Sequence, residues 1–156
     1  MSIEKVKNYF KKYNIDNRII ELKASSATVE LASKALNVEY GRIAKTLSFK
    51  LKNDSIILIV MAGDAKINNS KYKSTFNEKA HMLLADEVKN KVGHDIGGVC
   101  PFAINPNIKV YLDNSLKRFK TVFPACGNAN SAIDLTIAEL EKYSNYAKWI
   151  DVTKIN

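Results

Sequence analysis

The chain has too few metal-binding and thiol residues to build a metal centre or a disulfide scaffold. Its 156 residues include two cysteines, Cys100 and Cys126, and two histidines, His81 and His94. No C-x-x-C pair or zinc-ligand spacing is present. Reduced thiols, no bound metal and no cofactor are expected. Proline is scarce, at 101, 106 and 124 only, and none marks a boundary. With no linker, repeat or low-complexity segment, residues 1–156 are expected to form one domain. No apolar run is long enough to cross a bilayer. The start, M-S-I-E-K-V-K-N-Y-F, carries scattered charges and no apolar core, so it does not read as a secretory signal. A cytoplasmic location is expected. There is no Walker loop, dinucleotide fingerprint, G-x-S-x-G elbow or H-E-x-x-H helix. ATP use, hydride transfer, serine hydrolysis and zinc proteolysis therefore go unadvertised.

Arginine is also rare, at 18, 42 and 118, yet the formal net charge is +8. The excess is lysine. It suits a polyanion such as nucleic acid, or simply solubility.

Periodicity supplies the elements. Ile3, Val6, Phe10 and Tyr13 recur at helical spacing, predicting a helix over 3–13. Arg18 to Lys23 reads as a short strand. Ser25, Ser26 and Thr28 offer N-caps to a helix running to about Leu36, with Val29, Ala32 and Leu36 on one face. Ile43 to Leu51 reads as a strand, and Asn53-Asp54 as a hairpin turn. Ile56 to Ala62 is apolar throughout, predicting a central strand buried on both faces. Residues 68–76 predict a short helix and turn. Asp86 is expected to cap a helix that Gly93 ends. Val110 to Leu112, Thr121 to Ala125 and Ile133 to Leu135 predict strands. Thr136 and Glu139 form a capping box for a helix to about Tyr143. Trp149 to Val152 is the last predicted strand. The mixture lacks strict alternation, so the fold class is α+β with a mixed or mainly antiparallel sheet.

Two segments could carry chemistry. Lys45 shares a strand face with Ile43, Leu47, Phe49 and Leu51. A lysine in an apolar stripe must snorkel to water, meet an anion or lose its proton. The other segment is His94-Asp95-Ile96-Gly97-Gly98-Val99-Cys100-Pro101. Its paired glycines let backbone N–H groups approach a ligand, as an anion nest or oxyanion hole. A tight loop after the helix is the plainer reading. Cys100 beside His94 and Asp95 is a rival nucleophile, though a small buried residue is its simpler role. The Gly127 to Ala132 segment and Gly63-Asp64 suit turns, and also offer polar groups to a substrate.

Ala27-Thr28-Val29-Glu30-Leu31-Ala32, Arg42-Ile43-Ala44-Lys45-Thr46-Leu47, Gly63-Asp64-Ala65 and Gly97-Gly98-Val99-Cys100-Pro101, in this order and spacing, resemble the YbaK/EbsC family. These are the prolyl-tRNA synthetase-associated editing domains, and the resemblance covers the chain from the first helix to Trp149. It implies a curved or barrel-like mixed sheet flanked by helices. It implies hydrolysis of mischarged aminoacyl-tRNA, often tRNA for proline carrying alanine or cysteine. By resemblance, Lys45 is the essential lysine, and Gly97, Gly98 and Pro101 form the loop beside the ester. Thr28 and Thr46 line the aminoacyl pocket, and Gly127, Asn130 and Ser131 lie in the turn that closes it. The implied partners are the aminoacylated 3′ end of tRNA and prolyl-tRNA synthetase, with neither membrane nor DNA. Ala125 and Ala132 stand where cysteine-removing members have a serine and an acid. Thr46 stands where alanine-removing members tend to have asparagine. The amino acid removed is therefore open. A binding module that holds charged tRNA without hydrolysis is the alternative, and hydrolysis of another small activated ester is a third.

Overall fold

The computed structural model describes residues 2–156. Helix α1 (Ser2–Lys11) buries Ile3, Val6 and Phe10. It stops two residues short of Tyr13, which is 40% exposed. Next come β1 (Ile19–Glu21), α2 (Val29–Leu36), β2 (Ile43–Lys50) and β3 (Ile56–Ala62). Thr28 caps α2 by accepting the Leu31 N–H, and Asn37 closes the helix in the left-handed region. Beyond β3 lie β4 (Ala65–Ile67), α3 (Asn69–Phe76) and α4 (Ala85–Val92). Asp86 is in the first turn of α4 rather than at its cap, which is Leu84. A carboxylate there still favours the helix dipole. Gly93 ends α4 at a φ of 100°.

The last third holds β5 (Lys109–Asp113), β6 (Thr121–Pro124), β7 (Ser131–Ile133), β8 (Leu135–Thr136), α5 (Ile137–Ser144), β9 (Lys148–Ile150) and β10 (Thr153–Ile155). The strand expected over Ile133 to Leu135 is two strands. Asp134 is the switch: β7 pairs with β1, and β8 pairs with β6. The final strand expected over Trp149 to Val152 is likewise two, because the chain turns back at Asp151-Val152 and β10 joins β4.

Six strands form a curled, half-barrel sheet in the order β8-β6-β2-β3-β5-β9. Antiparallel pairing joins β2 to β3, β6 to β8, β1 to β7 and β4 to β10. Parallel pairing joins β2 to β6, β3 to β5 and β5 to β9. As its sequence predicts, β3 is central and buried on both faces. Leu58, Val60 and Ala62 face the larger core under α1, α4 and α5. Ile57, Ile59 and Met61 face a second core with Phe49 and Tyr72. Truncating buried Ile57, Leu58 or Ile59 to alanine would cost about 2–5 kcal/mol.

The shortest ladder of the central strands opens the sheet. The parallel pairing of β2 with β6 covers only Ile43–Phe123 and Ala44–Pro124. Beyond it the strands part at Lys45.

Candidate active site

A cavity of about 310 Å³ opens where β2 and β6 separate. Its apolar wall includes Val29, Ala32, Leu36, Ile43 and Phe123, and its polar groups come from Ser26, Thr28, Lys45, Thr46 and Ser131. Gly97, Val99, Ala125 and Ala132 also line it, and no carboxylate takes part among the described residues. Thr28 arrives because it caps α2, and Lys45 because the interrupted ladder leaves its side of β2 open.

Lys45 is half-buried and its Nζ donates to the Ala65 carbonyl at 2.6 Å. That acceptor is neutral. Burial pushes the Lys45 ammonium below its ordinary range, the Asp64 carboxylate raises it again, and Lys66 lowers it. Arg118 grips Asp64 with both guanidinium nitrogens, one at 3.0 Å. This holds the Asp64 carboxyl below the usual carboxylate range. The turn that presents the Ala65 carbonyl is thereby anchored. Lys45 keeps two further N–H donors for a ligand.

The glycine pair divides its work. Gly97 lines the cavity at a φ of 84°, and a Cβ there would lie 2.9 Å from the Ala27 Cβ. Its N–H has no acceptor among the described residues. The expectation that Gly98 shares this role is corrected. The Gly98 N–H donates to the Asp95 carbonyl at 2.9 Å, and its carbonyl accepts from the Gly127 N–H at 3.0 Å. With its amide used in a turn, Gly98 does not line the cavity.

Of the other expected residues, Thr28, Thr46 and Ser131 line the cavity with Lys45 and Gly97. Pro101 does not; it faces a separate cavity of about 280 Å³ between Tyr9, Ile104 and Tyr143. Gly127 also stands outside, at a φ of 100° against the Ser2 backbone. Asn130 turns away as well: its Nδ2 donates to the Leu22 carbonyl at 3.0 Å. Neither residue lines the cavity. Ser26 is the residue that sequence reasoning misses, because its type and place suit a helix cap. The Ser26, Thr46 and Ser131 hydroxyls are all buried without a partner. Three orphan hydroxyls around one cavity are the signature of a site that a ligand or water completes.

Cys100 does not fit as a nucleophile. It is fully buried, away from the cavity, and burial pushes its thiol up to about 12. The His94 Nε2 lies 3.4 Å from its sulfur but 2.6 Å from the Phe102 carbonyl. A carbonyl only accepts, so that nitrogen carries the proton and cannot take one from the thiol.

The curled sheet is thus split over a small cavity that holds one lysine and one free glycine amide. The aminoacyl-tRNA editing domain model matches residues 23–143, and the chain belongs to that family. It is 53% identical over 154 residues to the uncharacterized protein YwhH of Bacillus subtilis (strain 168), covering 99% of this chain and 98% of that one. It is 27% identical over 130 residues to a proline–tRNA ligase of Thermosipho melanesiensis, covering 83% of this chain but only 22% of the ligase. A crystal structure of a candidate trans-editing enzyme for prolyl tRNA synthetase superposes with a TM-score of 0.86 at 25% identity, covering 98% of this chain and 97% of the other. The mixed α+β fold expected from the sequence is the fold of that structure. Among the described residues no helix is long and apolar enough to cross a membrane.

Proposed function

We propose that this chain acts in trans as a deacylase, hydrolysing a small amino acid from wrongly charged tRNA, with tRNA for proline carrying alanine or cysteine as the leading substrates. The observation that carries the reading is the meeting of Lys45 and the free Gly97 amide in one cavity where β2 leaves β6.

An aminoacyl ester is already reactive. Water attacks the carbonyl carbon, the bond to the ribose oxygen breaks, and the proton lost by water ends on that oxygen. The protein has to hold the ester and stabilise the oxyanion. The Gly97 N–H is the donor for the oxyanion, and such a donor is worth about 2.7–4 kcal/mol. This narrows the two-glycine expectation to one amide. Lys45, held by the Ala65 carbonyl, anchors the terminal phosphate or ribose of the tRNA. A phosphate offsets the burial that lowers its proton affinity.

The acyl pocket is apolar at the α2 and Phe123 side, with small residues at Ala125 and Ala132. This favours a small amino acid, and the absence of a lining carboxylate separates it from a pocket selecting a cationic side chain.

Wild type and Lys45→Ala are assayed on a panel of mischarged tRNAs. The wild type is expected to release at least one small amino acid, and Lys45→Ala to lose about 100-fold or more in rate through mispositioning of the ester. Full turnover by Lys45→Ala removes the mechanism. A wild type that binds tRNA yet leaves every ester intact is a binding module.

A further inference from the structure

We infer that the β4–β10 ribbon is a docking strip for the phosphate backbone of tRNA, with Lys66 and Lys154 as its contacts. This rests on the reading of the cavity as the site of an aminoacyl-tRNA end.

In the antiparallel ladder Lys66 stands directly opposite Lys154, so both side chains leave the same face of the ribbon. Both are exposed. Neither has a carboxylate within ion-pair distance among the described residues. Nearby Lys71 differs: its ammonium meets Asp151 at 3.0 Å and the Thr153 carbonyl at 2.8 Å. Like charges directly opposite in a ladder destabilise it. Solubility does not need two lysines on one rung, because staggered positions spread the same charge. An anion lying across the rung turns the repulsion into attraction.

Its position identifies the anion. Residue 65, next to Lys66, supplies the carbonyl that holds Lys45. The end of the ribbon is tied to the same turn by the Asn156 N–H, which donates to the Asp64 carbonyl at 3.0 Å. A phosphodiester strand whose last nucleotide reaches Lys45 therefore has this rung beside it. The opposite side of the ribbon buries Ala65 and Thr153, so Lys66 and Lys154 are on its outer side. The recognised group is a backbone phosphate, read without regard to base.

Binding of uncharged tRNA is measured by filter retention between 50 and 200 mM salt for wild type, Lys66→Ala, Lys154→Ala, the double variant and Lys66→Glu. Lys52→Ala is the charge-matched control. It sits at the tip of the β2–β3 hairpin, seven residues along from Lys45, about 23 Å away. Each alanine variant is expected to flatten the slope of log K against log salt by about 0.7–0.9, and the double variant by about twice that. Lys52→Ala should leave the slope unchanged. Lys66→Glu makes a cross-strand ion pair with Lys154, so it should melt at or above the wild-type temperature while binding tRNA more weakly than Lys66→Ala. A purely structural role cannot raise stability and lower affinity together. An unchanged slope in the double variant overturns the inference, as does an equal change in Lys52→Ala. The hydrolysis reading stands apart: a wild type that deacylates nothing but binds tRNA through the ribbon loses that reading and keeps this one. A wild type that deacylates while the double variant keeps its full slope does the reverse.

Discussion

Glu139 shows how much one side chain can do at the surface. Its carboxylate accepts from Arg18 Nη1 at 2.6 Å while another oxygen accepts the Thr136 N–H at 2.9 Å. The Arg18 guanidinium is the chief cause that draws the Glu139 carboxyl from 4.5 down to about 2. An acid depressed on folding stabilises the protein above its unfolded value and loses that contribution as pH falls towards its folded one. Because Arg18 is 38% exposed, the full shift overstates the effect, and about 1 kcal/mol is expected. Glu139→Gln preserves the capping box and removes the charge. Urea unfolding should find it about 1 kcal/mol less stable at pH 7. The gap should close as pH falls from 4.5 to about 2, the interval between the two values. A gap as wide at pH 3 as at pH 7 would assign the loss to something other than the ion pair. This residue was legible in advance, since a capping box is a local spacing. Lys45 was legible for a similar reason, as a cation on an apolar strand face. Its partners were not. The Ala65 carbonyl is a backbone atom that any residue would supply. Arg118 reaches Asp64 across 54 positions of chain, and no local pattern encodes that distance.

Among the elements, the 95–98 turn shows why two adjacent glycines are needed for different reasons. Gly97 needs a positive φ and a close approach to Ala27. Gly98 needs room: a Cβ there would lie 2.2 Å from the Asn128 nitrogen and 2.4 Å from its Cα. These are backbone atoms, so no side-chain rotation relieves the clash. Gly98→Ala must push the 127–130 turn away and break the Gly127 to Gly98 hydrogen bond. Overpacking of this kind costs about 2 kcal/mol, which lowers Tm by about 4–8 °C in a domain of this size. Calorimetry on the variant checks it, and an unchanged Tm would show that the two turns part freely. The proposed deacylation should fall as well, because Gly97 is displaced with its neighbour. The double glycine announced a loop in the sequence. The reason for the second glycine lay 30 residues downstream, where only the folded chain brings Asn128 alongside. The split of the expected 133–135 strand has the same origin. Asp134 sits between β7 and β8, and the change of partner is decided by β1 and β6, not by its own propensity.

At the level of the whole molecule, the site is braced from the far end of the chain. Asp113 is fully buried at the end of β5. It accepts from the Ser115 N–H at 2.9 Å, the Val152 N–H at 2.9 Å and the Thr153 hydroxyl at 2.7 Å. The first bond caps the 3-10 turn that carries Arg118. The other two fasten the start of β10, which pairs with β4 and so fixes Ala65. One carboxylate thus positions both supports of Lys45: the arginine that holds Asp64 and the strand that carries the accepting carbonyl. Asp113→Ala would strand three buried donors at once. At about 1–3 kcal/mol for each unsatisfied group, softened by water entering the gap, a loss of about 3–5 kcal/mol is expected. The Tm should fall by about 10 °C. Hydrogen exchange supplies the sharper test. In Asp113→Ala the amides of β4 and β10 should exchange far faster relative to wild type than those of central β3, whose ladder to β2 is untouched. The proposed editing activity, measured well below the lowered Tm, should fall with that protection, because the Ala65 carbonyl no longer holds the Lys45 ammonium in one place. Uniform loss of protection across all three strands would mean that Asp113 supports the fold as a unit, and that the cavity has no separate brace.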